Sequence, residues 1–344
     1  YMWRVIEQER VVSLLRRSLE KGVVAHAYIF TGPPHVGKMT LALDLARALN
    51  CEAVEPPCGE CVSCRKIDQG KHADVQVIGL TSADDASGDK SQAEIGIEQI
   101  RQLQHSANLP PFEGRCKVFI IDGAEFLSIE AANCLLKTLE EPESRVVFVL
   151  LAGKNRFIPE TVISRCQWLK LAPVAAGEVE KALSSRWGVE PQKARLLARL
   201  CRGCIGWAVS AVENEDFLAR HYEMRNKIPD IMFASNEERF AYAAQLAAQF
   251  SQKRNTVQEV LCLWLDIWRD MLLVKAGFGE AITNIDLEDK LNRWAEGYSL
   301  GEVRVFIRDI QAAGEQLRQN ASPRLVLEVL MLNMPGRKRE MVAE

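Results

Sequence analysis

The sequence predicts an α/β domain built on a parallel sheet, followed by segments that are entirely helical. Three observations carry this. Between residues 27 and 171, short β-branched runs alternate with helical patterns. These runs are apolar at consecutive positions, as in strands covered on both faces by helices, so the domain should have three layers. Beyond Pro173 the strand signals stop and apolar residues recur at helical spacing.

The first run is AYIFT at 27–31, and an amphipathic stretch through Leu41, Leu45 and Leu49 follows it closely. The other runs are VQVIG at 75–79, VFIID at 118–122, VVFVLL at 146–151 and QWLKL at 167–171. Ala132, Leu135, Leu136 and Leu139 mark a helix with Ser128 as its N-cap, Glu130 in the first turn and Pro142 just past the end. Residues 81–96, rich in Ser, Asp, Ala and Gly, have no period and read as a mobile surface loop without an assigned function. Short helices at 178–187, 192–200 and 205–212, separated by Gly or Pro, suggest a small helical domain. Longer amphipathic stretches at 235–250, 256–276, 300–320 and 323–333 suggest a third, all-helical one. The expected domains are therefore 1–171, 172–214 and 215–344.

Composition excludes disorder and fibre: 48% of the 344 residues are hydrophobic and 26% charged. Lys and Arg total 43 against 46 Asp and Glu, and a net charge of -3 gives no overall attraction to nucleic acid or an anionic membrane. Contact with DNA would have to come from a local patch or an assembly. The longest apolar stretch, 146–153, is far shorter than the ~20 residues a bilayer crossing needs, and the first residues carry charges where a signal peptide would be apolar. A cytoplasmic protein with no membrane partner is expected.

Ten cysteines fall into two groups. Cys58, Cys61 and Cys64 are spaced C-x-x-C-x-x-C, with Cys51 seven positions upstream. Four thiolates suit the tetrahedral coordination of a structural Zn²⁺ and leave no open position for catalysis. The segment 51–67 is rich in Pro, Gly and Glu and poor in core residues, so it should fold only around the metal. Cys116, Cys134, Cys166, Cys201, Cys204 and Cys262 lie in apolar surroundings and are expected in the core.

Gly32, Pro33, Pro34, His35, Val36, Gly37 and Lys38 stand between the first strand and a helix, the setting of a phosphate-binding loop. Glycines at both ends let successive N–H groups converge on phosphate oxygens, the helix N-terminus adds its positive end, and the lysine reaches the terminal phosphates. The next position should carry a hydroxyl for Mg²⁺, but it is Met39, a thioether with little affinity for a hard cation. Thr40 is one residue late, turned by about 100° on a helix. VFIID ends in Asp122, a carboxylate suited to holding a Mg²⁺-bound water at the end of a strand. Gly123 follows and can neither accept a proton nor orient a nucleophile. Glu125 is expected to point elsewhere if the segment enters a turn.

HAYIFTGPPHVGK at 26–38, CGECVSCRKI at 58–67, AANCLLKTLEEP at 131–142, SRCQ at 164–167 and NASPRLVLEVLML at 320–332 occur in an order that resembles one family. It is the delta prime family of bacterial DNA polymerase III clamp-loader subunits, within the AAA+ superfamily, and the resemblance spans about residues 5 to 333. It implies a RecA-like domain with a zinc module, a helical lid, and a helical collar through which subunits form a hetero-oligomeric ring.

In such rings the SRC tripeptide supplies an arginine finger to the neighbouring subunit's ATP site, which assigns that role to Arg165. The implied partners are the gamma or tau motors, the delta subunit and, through the complex, the sliding clamp and primed DNA. Motor subunits carry an intact hydroxyl, an acidic pair and a lid arginine where this chain has Met39, Gly123 and Cys204. The resemblance therefore implies a stator inside the DNA polymerase III holoenzyme, binding ATP and Mg²⁺ weakly and hydrolysing little or none. Two other readings stay open: an active gamma- or tau-like motor ATPase, and a zinc-dependent nucleic-acid-binding module.

Bland readings hold elsewhere. The seven tryptophans never interleave with dense Arg or Lys and read as packing residues. His26 and His72 lack partners at metal spacing and read as core or turn residues.

Overall fold

The computed structural model describes residues 3–80, 94–153, 158–250, 254–319 and 321–336. Five parallel strands, β1 (Ala27–Thr31), β2 (Val75–Ile78), β3 (Lys117–Asp122), β4 (Val146–Ala152) and β5 (Gln167–Lys170), form one sheet in the order β2-β3-β4-β1-β5. All five expected runs are strands. Alternate residues pack into separate cores on the two faces, as the period of two requires. Tyr28, Phe30, Val118 and Ile120 meet α1 (Glu9–Glu20) and α2 (Lys38–Asn50), whereas Ile29, Phe119, Phe148 and Leu150 meet α4 (Ile97–Ala107) and α5 (Ile129–Glu140). The central strands are covered on both faces. β2 and β5 are edge strands and correct that expectation, since only Leu169 of β5 and no residue of β2 is buried.

Ser128 caps α5 as its sequence predicts, its Oγ accepting the Ala131 N–H at 3.1 Å. The helix α1 has no counterpart among the elements read from the sequence, although Val11, Val12 and Leu15 give it one buried stripe. The loop expected over 81–96 lies outside the described residues as far as 93. Ile95 forms a parallel bridge with Leu127, and Gly96 caps α4 with its N–H on Gln99 Oε1 at 3.1 Å, so these two belong to the framework.

Contacts divide the chain into two compact units, Tyr1–Ala182 with Gly203–Trp207, and Leu183–Arg202 with Ala208–Glu344. Short helices α7 (Ala176–Trp187), α8 (Pro191–Leu200) and α9 (Ile205–Glu213) precede the longer α10 (Glu215–Met232), α11 (Asn236–Phe250), α12 (Arg254–Lys275), α13 (Glu288–Glu296), α14 (Leu300–Arg318) and α15 (Pro323–Leu332). The core of the second unit is built on α12, where the Trp268 and Phe306 rings pack edge to face at 4.6 Å and Trp264 meets Phe306 at 6.2 Å. Asp266 and His221 of this unit are shifted in opposite directions. Burial pushes Asp266 up to about 6 although Arg202 pairs with it at 2.6 Å. Burial, assisted by the Arg225 charge, pushes His221 down to about 4. Among the described residues, no helix is long and apolar enough to cross a membrane.

Two side-chain expectations need correction. Of the six cysteines expected in the core, Cys116 and Cys201 are buried, Cys134, Cys166 and Cys204 are half-buried, and Cys262 falls on the exposed side of α12. Trp168 is 50% exposed because β5 is an edge strand, and its Nε1 donates to Thr31 Oγ1 at 2.7 Å.

Candidate functional site

Strand register gathers the nucleotide motifs. Thr31 pairs with Ala152 and Asp122 with Leu151, so the loop after β1 and the end of β3 flank the same end of β4. Gly32 is required sterically, since a Cβ there would stand 2.8 Å from Leu171 O. Gly37 takes φ 105 at the N-cap of α2, a left-handed conformation that favours glycine. His35 is also left-handed, at φ 60, and its carbonyl accepts the Gly206 N–H at 2.8 Å. Gly206 permits that approach, because a Cβ there would meet the same oxygen at 2.8 Å. Desolvation by the loop walls, then the Lys38 charge, lower the His35 pKa.

Lys38 Nζ donates to Gly32 O at 2.7 Å and Pro33 O at 2.9 Å, so the lysine is folded onto its own loop. Burial lowers its pKa, while the charges of Glu125, Asp122 and Cys204, in that order, act the other way. Met39 packs with the apolar residues between sheet and α2 instead of facing a cation. Thr40 follows it, half-buried, one position round the helix.

Past Asp122 the chain reverses at Gly123, at φ 81, into a 3-10 turn at Ala124–Phe126. A Cβ at Gly123 would stand 2.8 Å from the Phe126 ring. This turn corrects the expectation for Glu125. Its carboxylate faces the site: Oε1 accepts the Gly153 N–H at 2.7 Å, and the buried Oε2 has no hydrogen-bond partner. Sequence reasoning missed it because the partner lies 28 residues away, at the end of β4.

The four cysteines converge. Cys51 ends α2, Cys61 caps α3 (Val62–Asp68), and all four sulfurs lie within 4.8 Å of one another. Tetrahedral Zn–S bonds of ~2.3 Å place sulfurs ~3.8 Å apart, so the cluster needs only a small contraction to close on the ion. Backbone N–H groups already serve the sulfurs: Glu60 and Cys61 donate to Cys58 Sγ at 3.4 and 3.3 Å, Cys58 to Cys51 Sγ at 3.4 Å, and Cys64 to Cys61 Sγ at 3.5 Å. These donors hold Cys58 down at about 6, whereas burial raises Cys51 and Cys64. Thiolate-stabilising donors around these sulfurs fit a metal of the zinc type.

Arg165 follows α6 (Glu160–Ile163), away from these groups in sequence, and is 34% exposed. It ion-pairs with Glu140, the last residue of α5, at 2.6 Å.

A family described as DNA polymerase III, delta subunit matches residues 7–175. The chain is 29% identical over 326 residues to the DNA polymerase III subunit delta' of Bacillus subtilis (strain 168), covering 94% of this chain and 95% of that one. It is 36% identical over 216 residues to subunit tau of Escherichia coli (strain K12), covering 61% of this chain but 32% of tau. Among solved structures, a DNA polymerase III gamma subunit-related protein from Thermotoga maritima superposes with a TM-score of 0.48 at 15% identity, covering 94% of this chain and 98% of that one.

Proposed function

We propose, because the chain belongs to the family of DNA polymerase III clamp-loader subunits and matches a delta prime subunit over nearly its whole length, that it is the stator of a clamp-loader ring. One observation carries this reading. Where a motor needs a Mg²⁺-binding hydroxyl and a carboxylate beside Asp122, this chain has Met39, half-buried against the core, and Gly123, in a left-handed turn. A P-loop lysine and one aspartate can hold a nucleotide weakly but lack the groups that orient and deprotonate water.

In this reading Arg165 acts in trans on the ATP site of a gamma or tau motor, where a permanently charged guanidinium stabilises the γ-phosphate as negative charge develops. Delta, the sliding clamp and primed DNA are partners through the complex, in the cytoplasm. Residues 1–171 form the AAA+ domain, 172–214 the lid and 215–344 the collar. Cys51, Cys58, Cys61 and Cys64 hold a structural Zn²⁺ that supplies folding energy and no chemistry.

The test is reconstitution with motor, delta and clamp subunits. Arg165→Ala should leave assembly intact and lower DNA-stimulated ATPase and clamp loading several-fold, less than the ~10³–10⁵ of GTPase fingers, because other sites in the ring keep their own. Wild-type rates on both would eliminate the role. The motor reading is favoured by the 36% identity to tau and by Glu125, whose carboxylate lies close enough to influence Lys38. It requires basal ATP turnover by the isolated chain, lost in Lys38→Ala.

A further inference from the structure

The Arg165 guanidinium is held by acceptors from two elements. Nη1 donates to Thr161 O at 2.8 Å and Ser164 Oγ at 3.3 Å, within its own turn, and Nη2 donates to Glu140 Oε1 at 2.6 Å across 25 residues of sequence. Two acceptors on separate elements fix the plane of a planar group, which one acceptor would leave free to swing. Among the described residues Nε–H and the second N–H of Nη2 make no hydrogen bond, so one edge of the fork is held and donors remain for an anion.

Stability does not account for the pair. Arg165 is 34% and Glu140 50% exposed, and ion pairs this open contribute little to folding. Glu140 also closes α5, where a carboxylate faces the negative end of the helix dipole. An acidic residue placed against its helix and aimed at one arginine is explained by what it does to that arginine.

We propose that Glu140 is a positioning residue for the Arg165 finger: it clamps one edge of the guanidinium so that the remaining N–H groups meet the neighbour's phosphate without a search. This rests on the in-trans reading of Arg165. Orientation is a large lever, since a misplacement of ~1 Å can cost ~10²-fold in rate. The required quantity is acceptor geometry, because a neutral amide oxygen at the same reach holds the fork as a carboxylate does, whereas a shorter carboxylate does not.

The test uses the reconstituted ring with ATP, clamp and primed DNA, with gel filtration to verify assembly. Glu140→Ala should lower kcat roughly 3- to 10-fold with KM for ATP unchanged. Glu140→Gln should restore most of the rate, and Glu140→Asp, which keeps the charge but withdraws the oxygen, should not. In an Arg165→Ala background, Glu140→Ala should add nothing. The inference is overturned by wild-type kcat in Glu140→Ala beside a slowed Arg165→Ala, by rescue with Asp but not Gln, or by additive losses. A ring with Arg165→Ala at wild-type rate overturns the in-trans reading itself and the clamp with it. If Glu140→Ala prevents assembly, the contrast between Gln and Asp decides alone.

Discussion

The Lys38 ammonium sits on the Gly32 carbonyl at 2.7 Å, occupying the lysine with its own loop. An incoming nucleotide has to replace that carbonyl, and Pro33 O, with phosphate oxygens, so part of the electrostatic gain is spent on exchange. Met39 adds no Mg²⁺ ligand to offset it. ATP affinity of the isolated chain should therefore change less than about threefold when Mg²⁺ is removed. Met39→Thr should introduce a Mg²⁺ dependence of roughly tenfold, about 1.4 kcal/mol. Calorimetric titration with and without EDTA measures both, and a strong Mg²⁺ dependence in the wild type would count against the weak-site reading.

Restoring the missing carboxylate should not restore hydrolysis. Gly123 is at φ 81 and a Cβ there meets the Phe126 ring at 2.8 Å, so any side chain is strained twice. Gly123→Ala should cost roughly 1–3 kcal/mol. Gly123→Glu should cost at least as much without producing turnover. Denaturant unfolding and an ATPase assay check the pair; a stable, hydrolysing Gly123→Glu variant would mean that the turn re-forms as a motor's does.

The strands, the P-loop and the cysteine cluster were legible because each is local. Consecutive apolar runs fix β1, β3 and β4, glycine positions between a strand and a helix fix 32–38, and ligand spacing fixes Cys58, Cys61 and Cys64. Gly206 on the His35 carbonyl, Glu125 on the Gly153 N–H and Glu140 on Arg165 were not legible. Each joins groups far apart in the chain, and its geometry depends on turns that a single sequence does not specify. The packing of Met39 against the core lies between these cases: residue chemistry excluded it as a ligand, but only packing gives it a place.

One equivalent of zinc should accompany the freshly purified chain. Cys64 is fully buried and Cys51 nearly so, and a buried thiolate without its ion is costly. Cys64→Ser, or prolonged chelation, should release the metal and unfold residues 51–68 while the sheet persists. Elemental analysis and hydrogen exchange over α3 read this, and less than half an equivalent of zinc would refute it.

Stability of the second unit should be nearly flat in pH between 4 and 6, because two shifted groups oppose each other. His221 titrates at about 4 when folded against 6.5 normally, so the unfolded chain binds the extra proton and stability is lost as pH falls through that range. Asp266 titrates at about 6 against 3.8, so the folded chain binds the extra proton and stability is lost as pH rises. Each slope is at most about 1.4 kcal/mol per pH unit. Asp266→Asn should steepen the loss toward acid, and His221→Gln should reverse its sign. Urea midpoints at pH 4, 5 and 6 test it; parallel curves for wild type and both variants would show that neither group carries the shift.

Assembly should depend on one face of α15. Leu325, Val329 and Leu332 fall at helical spacing and are 62%, 45% and 62% exposed, whereas Val326, Leu327, Leu330 and Met331 on the same helix are buried. The helix thus divides its apolar residues between its own core and an open surface, which the bland alternative of a purely intramolecular core does not require. Three aliphatic side chains in a row form a stripe suited to a neighbouring helix, and in the ring reading that neighbour is another collar. Removing them should cost the isolated chain little, within about 0.5 kcal/mol per site, because exposed positions carry little of the fold. The same change should disrupt the complex, since placing charges in a closed apolar contact leaves them unpaired and desolvated. Leu325→Asp with Leu332→Asp should therefore keep the wild-type unfolding midpoint while losing at least tenfold in affinity for the other subunits. Gel filtration and denaturation on the same protein separate the outcomes: retained assembly removes α15 from the interface, and a lowered midpoint returns these residues to the core.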